Sequence, residues 1–357
     1  MLSTKPEMSI WRLPSPGGSD LPAPLLSLDE GGEAVPLPDR LPRGGSGSHF
    51  IATLPKSVVG VMPEIDRTYL LDRDGELVAE AIEDSTHVHA RAARDREALK
   101  ALERRGTDGE SVALLGGQRD GYWHWWIDVL SRAWLLERHG AGTARLPLAL
   151  PQALATSKEE SLRLLDLTGR LAPLEPGLHE FERVAFCSPG CGSRSRLPSP
   201  RLADYARWLR GRLGGGERRG ERRLFTSRAD ASWRRIVNED EVMSLLAEHG
   251  FERIECARLT IAEQVAAFGE ASVVVGPHGA ALTNLLFTPP GATVVELFAA
   301  PAAIETSNYR VLCARLDHRY ARLLGAPVAG PRAKTAHRLD MRIDPALLER
   351  TLAAVGG

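Results

Sequence analysis

The fold is decided by a stretch that runs from Ala271 to Asn284 and reads Ala271-Ser272-Val273-Val274-Val275-Gly276-Pro277-His278-Gly279-Ala280-Ala281-Leu282-Thr283-Asn284. It opens with an apolar, valine-rich segment, which is typical of a parallel strand whose two faces are both covered. Two glycines then predict a tight turn, and the proline between them suits the first position of a helix. The stretch therefore predicts a buried strand that leads into a helix beginning at Pro277.

The same alternation of strand and helix continues on both sides of this stretch. Strand patterns separated by helix patterns predict a parallel, Rossmann-like domain. Two capping boxes, Asn238 with Glu241 and Thr260 with Glu263, predict where two of these helices begin. The predicted strands are 223–226, 251–256, 271–275 and 293–297.

The chain has 357 residues, which at about 150 residues per domain suggests two domains. A segment rich in Pro, Gly and Ser predicts a poorly ordered N-terminal arm, and the glycine run at 214–216 predicts a linker. We therefore predict an arm at 1–48, an N-terminal domain at 49–213, a Rossmann-like domain at 217–330, and a helical tail at 331–357 that packs back on the N-terminal domain.

Charge and cysteine content exclude several classes of protein. The formal net charge is −1, from 45 basic and 46 acidic residues, which argues against general nucleic-acid binding. Four cysteines are too few for a disulfide scaffold, and Cys187 with Cys191 has no second ligand pair for zinc. The sequence shows neither a secretory signal nor a run of about 18 apolar residues. We therefore expect a cytoplasmic protein without a membrane span.

The turn at 276–284 predicts a place where an anion binds. A strand-to-helix turn directs free backbone N–H groups into the crevice at the carboxyl ends of the strands, where ligands bind in open α/β sheets. The alternative is that the glycines serve only the tight turn. The spacing is not G-x-G-x-x-G, which argues against a dinucleotide.

Two further features lie at ends of the predicted strands. Arg228, with Arg234 or Arg235, follows the first strand, and guanidinium groups suit the oxygens of a diphosphate. The alternative is a solvated arginine-rich loop. Glu296 lies at the end of the last strand, where a carboxylate commonly accepts hydrogen bonds from ribose hydroxyls. It could equally pair with an arginine.

A polar stripe marks a tryptophan-rich helix predicted at 122–139. His124, Asp128 and Arg132 are spaced four residues apart, so they share one helical face. Because apolar residues cover most of the rest, the helix is buried and its stripe must meet partners or a cleft. The functional interpretation is an acid/base group in a cleft, and the alternative is a surface salt bridge between Asp128 and Arg132.

Together these segments resemble glycosyltransferase family 61, which includes bacterial capsular polysaccharide biosynthesis proteins. The resemblance covers roughly residues 115–300. It is carried by the stretches 122–132, 227–241 and 276–291.

The resemblance implies an α/β, GT-B-like fold in which two Rossmann-like domains face each other across a cleft. Members are inverting transferases that use nucleotide-sugar donors, mostly UDP-linked, and folds of this type usually need no metal or other cofactor. We therefore expect transfer of a sugar to a glycan or lipid-linked glycan in capsular or exopolysaccharide synthesis. We expect this in the cytoplasm, peripheral to the inner face of the membrane.

Residue roles follow from the same resemblance. The base is expected to be Asp128 or His124, with Asp128 favoured because burial beside tryptophan rings can raise the pKa of a carboxyl group. Trp125 and Arg132 are expected on the acceptor side or in a structural role, and no metal ligand is expected. Donor binding is assigned to Arg228, Arg235, Asn238, Gly276, Pro277, His278, Gly279, Ala280, Thr283, Asn284 and Glu296.

Two other functions compete with this prediction. A degenerate protein could hold a nucleotide-sugar or glycan without turnover, and binding of UDP without transfer would distinguish it. A nicotinamide-dependent enzyme is disfavoured by the absent G-x-G-x-x-G pattern.

Overall fold

A computed structural model shows an α/β protein with two sheets, which divides into two compact units. The first unit comprises 1–18 and 42–200, and the second comprises 19–41 and 201–357. The structure describes residues 9–12, 26–28, 50–63, 67–78, 81, 86–106, 110–117, 121–140, 142–187, 201–216, 220–299, 308–328 and 338–356.

The elements are numbered in chain order. The strands are β1 Ser9–Arg12, β2 Leu26–Leu28, β3 Phe50–Val61, β4 Thr68–Leu71, β5 Arg104–Arg105, β6 Ser111–Leu114, β7 Leu148–Pro151, β8 Leu171–Leu174, β9 Gly177–Cys187, β10 Arg222–Thr226, β11 Phe251–Ile254, β12 Ala271–Pro277, β13 Thr293–Ala299, β14 Arg319–Val328 and β15 Asp340–Arg342. The helices are α1 Thr86–Lys100, α2 Tyr122–His124, α3 Ser131–His139, α4 Thr156–Leu164, α5 Leu202–Leu213, α6 Glu239–Glu248, α7 Ile261–Gly269, α8 Asn308–Arg315 and α9 Pro345–Gly356.

The sheet of the first unit is mixed. Its described strands run in the order β1-β3-β9-β6-β7-β8, and within it β9, β6, β7 and β8 are parallel to one another. The two longest strands, β3 and β9, are antiparallel, and Leu54, Val59 and Val184 between them are fully buried. This half therefore departs from the Rossmann-like domain that the resemblance implies, because a long antiparallel pair forms part of its core.

The sheet of the second unit is parallel over its centre, in the order β11-β10-β12-β13-β14. The chain leaves β10 for β11 on one side and returns to β12 on the other side of β10. The strand order therefore reverses between β10 and β12, and ligands of open α/β sheets bind at the carboxyl ends of strands at such a point. Fully buried Leu224, Val274 and Val294 show why these segments form central strands.

The two predicted capping boxes have different outcomes. At the start of α7, Thr260 accepts from the Glu263 N–H and the Glu263 carboxylate accepts from the Thr260 N–H, as predicted. At the start of α6, the Asn238 side chain caps nothing. Its amide instead donates to the Ile343 carbonyl at 2.7 Å and accepts from the Ile343 N–H at 3.0 Å, so this capping box was wrong.

The helix after β12 begins later than predicted. Pro277 is the last residue of β12, in register with Leu297 of β13, and the His278 N–H donates to the Leu297 carbonyl at 2.9 Å. The strand ladder therefore continues through the proline, and a 3-10 helix follows only at Ala280–Leu286. The prediction that a helix begins at Pro277 was wrong for this reason.

The boundary between the units lies before α5, and the predicted linker at 214–216 falls inside the second unit. Arg210 of α5 donates to the carbonyls of Leu286 and Thr288, which ties α5 to the second unit. The predicted tail also differs, because Leu348 of α9 joins the hydrophobic core of the second unit. The predicted arm at 1–48 lies outside the described residues apart from β1 and β2.

Candidate active site

In the second unit, the predicted donor-binding residues cluster where β10 and β12 end. β10 continues into the loop of Ser227 and Arg228, and β12 ends at the turn of Gly276, Pro277 and His278. Ser227 is held there by its hydroxyl, which donates to the buried Glu239 carboxylate at 2.6 Å. The cluster therefore lies at the reversal point of the sheet.

The two glycines of the turn are required by neighbouring side chains. A Cβ on Gly276 would lie 1.8 Å from the Thr226 hydroxyl, so this glycine lets β10 and β12 approach each other. A Cβ on Gly279 would lie 2.1 Å from Nη1 of Arg228, so this glycine makes room for the guanidinium over the turn. The turn is therefore shaped to hold Arg228.

A second guanidinium, that of Arg234, lies near Arg228. Among the described residues neither arginine has a carboxylate within salt-bridge distance, and the Nε of each is buried without a hydrogen-bond partner. Burial lowers the pKa of Arg228, and burial together with the Arg228 charge lowers the pKa of Arg234 to about 10. Arg234 has a φ of 57°, a conformation that is uncommon for residues with a side chain and is enriched at functional sites. The pair thus forms a cationic site.

Arg235 and Asn238, both predicted to bind the donor, are engaged elsewhere. The Arg235 guanidinium donates twice to the buried Asp340 carboxylate, at 2.9 and 3.2 Å, and its backbone N–H donates to the same side chain. Asn238 is bonded to Ile343. These contacts fasten the loop after β10 to β15, so both side chains position the loop.

Glu296 is fully buried and both of its oxygens are occupied. Oε1 lies 2.6 Å from Nδ1 of His278, and Oε2 accepts from the Tyr320 hydroxyl at 2.6 Å. The carboxylate therefore has no exposed surface for a ribose, contrary to the prediction from its strand-end position. It orients His278 instead, whose ring also stacks on Phe298 at 4.6 Å.

The remaining residues of the turn divide into surface and core. Ala280 is exposed, whereas Thr283 and Asn284 have no exposed surface. The Asn284 amide donates to the Gln264 side chain of α7 at 2.7 Å, and the Thr283 hydroxyl lies 3.4 Å from that of Tyr309. Thr283 and Asn284 were predicted as donor contacts, but the structure gives them a packing role.

In the first unit, α2 and α3 are joined by a π-helical segment, Trp125–Leu130. Such segments are rare and occur frequently at functional sites. Nδ1 of His124 lies 2.7 Å from Oδ2 of Asp128, whose side chain is 10% exposed against 21% for the histidine. His124 is therefore the more accessible member of the pair.

The other two predicted residues of this helix have structural partners. Arg132 is buried and its Nη1 donates to the carbonyls of Leu115 and Gly116 after β6. The Trp125 indole N–H donates to the Ser161 hydroxyl of α4 at 2.8 Å. The structural alternative for Trp125 and Arg132 is therefore favoured.

The described residues also bear on metals, thiols and membranes. Within those ranges, no three His, Cys, Asp or Glu side chains come together as a set that could hold a metal ion. Cys187, Cys256 and Cys313 are free thiols, and Cys191 lies outside the described residues. Of the helices in the described part of the chain, none has the length and apolar character that a membrane crossing requires.

The segment that joins these two sites along the chain matches a known family. Residues 122–295 match the model described as Glycosyltransferase 61. This segment, residues 122–295, therefore belongs to glycosyltransferase family 61. The matched range contains both the His124–Asp128 pair and the Arg228–His278 cluster.

Curated proteins similar to part of this chain include eukaryotic transferases. Protein O-linked-mannose beta-1,4-N-acetylglucosaminyltransferase 2 of Tetraodon nigroviridis is 40% identical over 82 residues, which cover 22% of this chain and 14% of that protein. The human protein of the same name is 40% identical over 79 residues, 21% of this chain and 13% of that protein. EGF domain-specific O-linked N-acetylglucosamine transferase of Drosophila melanogaster is 35% identical over 69 residues, 18% of this chain and 13% of that protein.

Sequence reasoning missed some residues of the second-unit cluster. Tyr320 and Tyr309 belong to no recognisable motif, and they reach Glu296 and His278 only because β14 pairs with β13 and α8 packs against β14. The sequence did not decide between Arg234 and Arg235 as the second guanidinium of the site. The one signal for that choice was Asp340, an acidic residue in β15 that pairs with Arg235.

Proposed function

We propose that this chain is an inverting glycosyltransferase that transfers a sugar from a UDP-sugar donor to a glycan acceptor. One observation carries the proposal: Arg228 and Arg234 lie together at the reversal point of a parallel sheet, without a carboxylate partner among the described residues. Desolvating a charge is costly unless it is paired. A diphosphate supplies the missing negative charge and enough oxygens for the orphaned N–H donors.

The donor sugar is proposed from the relatives. Their printed names describe transfer of N-acetylglucosamine, so UDP-N-acetylglucosamine is the first donor to test. The ribose must be held by groups other than Glu296, since that carboxylate is buried and bonded to His278 and Tyr320.

For the base we propose His124, with Asp128 as the residue that orients it. The Asp128 carboxylate contacts Nδ1 of His124, and the imidazole ring is the more exposed of the two groups. Histidine bases that are oriented by a buried acid have this arrangement. In this assignment Nε2 accepts the proton of the acceptor hydroxyl as the anomeric carbon is attacked. The sequence favoured Asp128, and the relative exposure of the two side chains now favours His124.

The assignment of the base is tested by His124→Ala and Asp128→Asn. Each variant should lower kcat at least about 100-fold, because general-base catalysis contributes about 100- to 10,000-fold, while the Kd for UDP stays unchanged. Near wild-type turnover by His124→Ala would exclude His124 as the base. If that variant stays active and Asp128→Asn does not, the carboxylate is the base.

The donor site is tested by calorimetric titration with UDP. Arg228→Gln and Arg234→Gln should each weaken binding about 10- to 100-fold, since a hydrogen bond to a charged group is worth about 1.5–3 kcal/mol. The matched control is Arg222→Gln, because Arg222 lies at the opposite end of β10 and pairs with Glu252. Failure of the wild-type protein to bind UDP or any nucleotide-sugar would refute the proposal. Binding of UDP-sugars without transfer or hydrolysis would favour the scaffold alternative.

The proposal also includes four further points. They are the GT-B arrangement, the role in capsular or exopolysaccharide synthesis, the independence from metals and the cytoplasmic location. The Rossmann-like sheet of the second unit supports the first of these. Activity that survives chelation of divalent cations would support metal independence.

A further inference from the structure

A chain of hydrogen bonds leads from the core of the second unit to its candidate donor site. The Tyr320 hydroxyl donates to Oε2 of Glu296 at 2.6 Å, and Oε1 of Glu296 lies 2.6 Å from Nδ1 of His278. Glu296 has no exposed surface, whereas the His278 side chain is 14% exposed. The chain therefore ends at the imidazole ring, which is its one accessible member among these three.

The orientation of that ring is fixed. It stacks on Phe298 with centroids 4.6 Å apart, and the Tyr309 ring meets it edge-on at 5.3 Å. Because Nδ1 faces Glu296, Nε2 is the nitrogen left for a ligand, and it makes no hydrogen bond within the described part of the chain. Gly279 directly follows His278, and the Arg228 guanidinium lies over Gly279. The imidazole ring and the cationic site are therefore neighbours.

The charges around His278 favour an added proton once an anion arrives. Burial raises the pKa of Tyr309, and burial with the Glu296 charge raises that of Tyr320, so both hydroxyls stay neutral near physiological pH. The pKa of the Cys313 thiol near Glu296 is raised by burial as well. Arg228 and Arg234 oppose a further positive charge until a ligand neutralises them. The groups that face the His278–Glu296 pair are Arg228, Arg234, Tyr309, Cys313, Tyr320 and Arg322.

We propose that His278 takes up a proton when the donor diphosphate binds and then donates its Nε2–H to a β-phosphate oxygen. Glu296 is the buried counter-ion of the resulting imidazolium, and Tyr320 is a positioning residue that holds Glu296. The inference rests on the proposed function. A nearby negative charge favours the charged form of histidine, and a carboxylate on Nδ1 fixes the ring nitrogen that faces the ligand.

The role in transfer follows from the movement of charge. The acceptor oxygen forms a bond to the anomeric carbon, and the bond from that carbon to the β-phosphate oxygen breaks. The electron pair of the broken bond stays on the phosphate oxygen, and the hydroxyl proton goes to the base. The imidazolium of His278 keeps its proton and stabilises the negative charge that grows on the leaving nucleotide.

The test is calorimetry of UDP-N-acetylglucosamine binding in buffers with different ionisation enthalpies. The phosphates of this probe do not titrate near neutral pH, so protons taken up from the buffer on binding go to groups of the protein. At a pH of about 7.5, the wild-type protein should take up protons on binding. His278→Gln should abolish the uptake and lower kcat by about 100-fold or more.

The variants of the positioning groups and a control complete the test. Tyr320→Phe removes one oxygen from the core and should reduce both proton uptake and kcat, whereas a merely structural tyrosine would leave the proton uptake unchanged. The matched control is His249→Gln, because His249 also lies near a glutamate, Glu349 at 4.0 Å, but precedes the amino end of β11, whereas His278 follows the carboxyl end of β12. It should keep wild-type uptake and kcat.

Two failures are distinguishable. A wild-type protein that binds neither UDP nor UDP-sugars refutes the proposed function and this inference with it. A wild-type protein that binds and transfers, but takes up no protons or takes up as many in His278→Gln, refutes only the role of His278.

Discussion

Replacement of Gly279 by alanine should separate donor binding from folding. Its φ of 175° is extended, so alanine adopts this backbone without strain. The added Cβ would lie 2.1 Å from Nη1, 2.9 Å from Cζ and 3.2 Å from Cδ of Arg228. These atoms belong to a flexible side chain, which swings aside at little cost in stability. The guanidinium then leaves its place over the turn.

The expected loss follows from the interaction that is displaced. A hydrogen bond between charged groups is worth about 1.5–3 kcal/mol, so UDP should bind about 10- to 100-fold more weakly to Gly279→Ala. The free energy of unfolding in urea should change by less than about 1 kcal/mol, as is usual for glycine-to-alanine changes without strain. Calorimetric titration with UDP and urea denaturation measure the two quantities on the same sample.

A double-mutant cycle with Arg228→Ala decides whether the effect passes through the guanidinium. If it does, Gly279→Ala should have almost no further effect on the Kd for UDP in the Arg228→Ala background. An equal weakening in both backgrounds would show that the methyl group acts directly on the ligand or the backbone. Unchanged UDP binding in the single variant would refute the placement of Arg228 at the donor site.

Two predictions concern stability. Gly276→Ala should lower the free energy of unfolding in urea by about 1–3 kcal/mol, because its Cβ would lie 1.8 Å from the Thr226 hydroxyl and separate two central strands. Gly269→Ala, whose Cβ meets nothing within 4 Å, is the control and should leave that free energy nearly unchanged. Burial lowers the pKa of His318 from 6.5 to about 4, so the unfolded chain binds a proton more readily than the native one. Stability should therefore fall by about 3 kcal/mol as the pH drops from 6.5 to 4, and a His318→Gln variant that kept the whole slope would contradict this.

Structural features whose interacting groups lie within a few residues of one another could be predicted from the sequence. The valine-rich strand before Gly276 and the capping box of Thr260 with Glu263 depend on local pattern, and both are present. The capping box expected at Asn238 does not form, because the Asn238 side-chain amide is hydrogen-bonded to the backbone of Ile343, which is far away in the sequence. Local pattern gives the position of an element but does not give competing long-range partners.

The candidate site shows the same limit. Arg234 and Arg235 are adjacent and chemically identical, and only Asp340 of β15 decides that Arg235 turns away from the cationic site. Glu296 is at the predicted strand end, but His278 and Tyr320 occupy its oxygens. Which side chains are left for a ligand is settled by contacts across the sheet, which no single segment contains.

Strand β2 has a consequence for how the second unit folds. Residues Leu26–Leu28 pair in parallel with Ala321–Leu323 of β14, so two segments that lie far apart in the sequence must meet to complete this sheet. Contacts between such distant segments slow folding and leave strand edges open to wrong partners in the meantime. A fragment that begins at Arg201 would lack this strand and expose the edge of β14, so the second unit should be expressed together with the N-terminal segment.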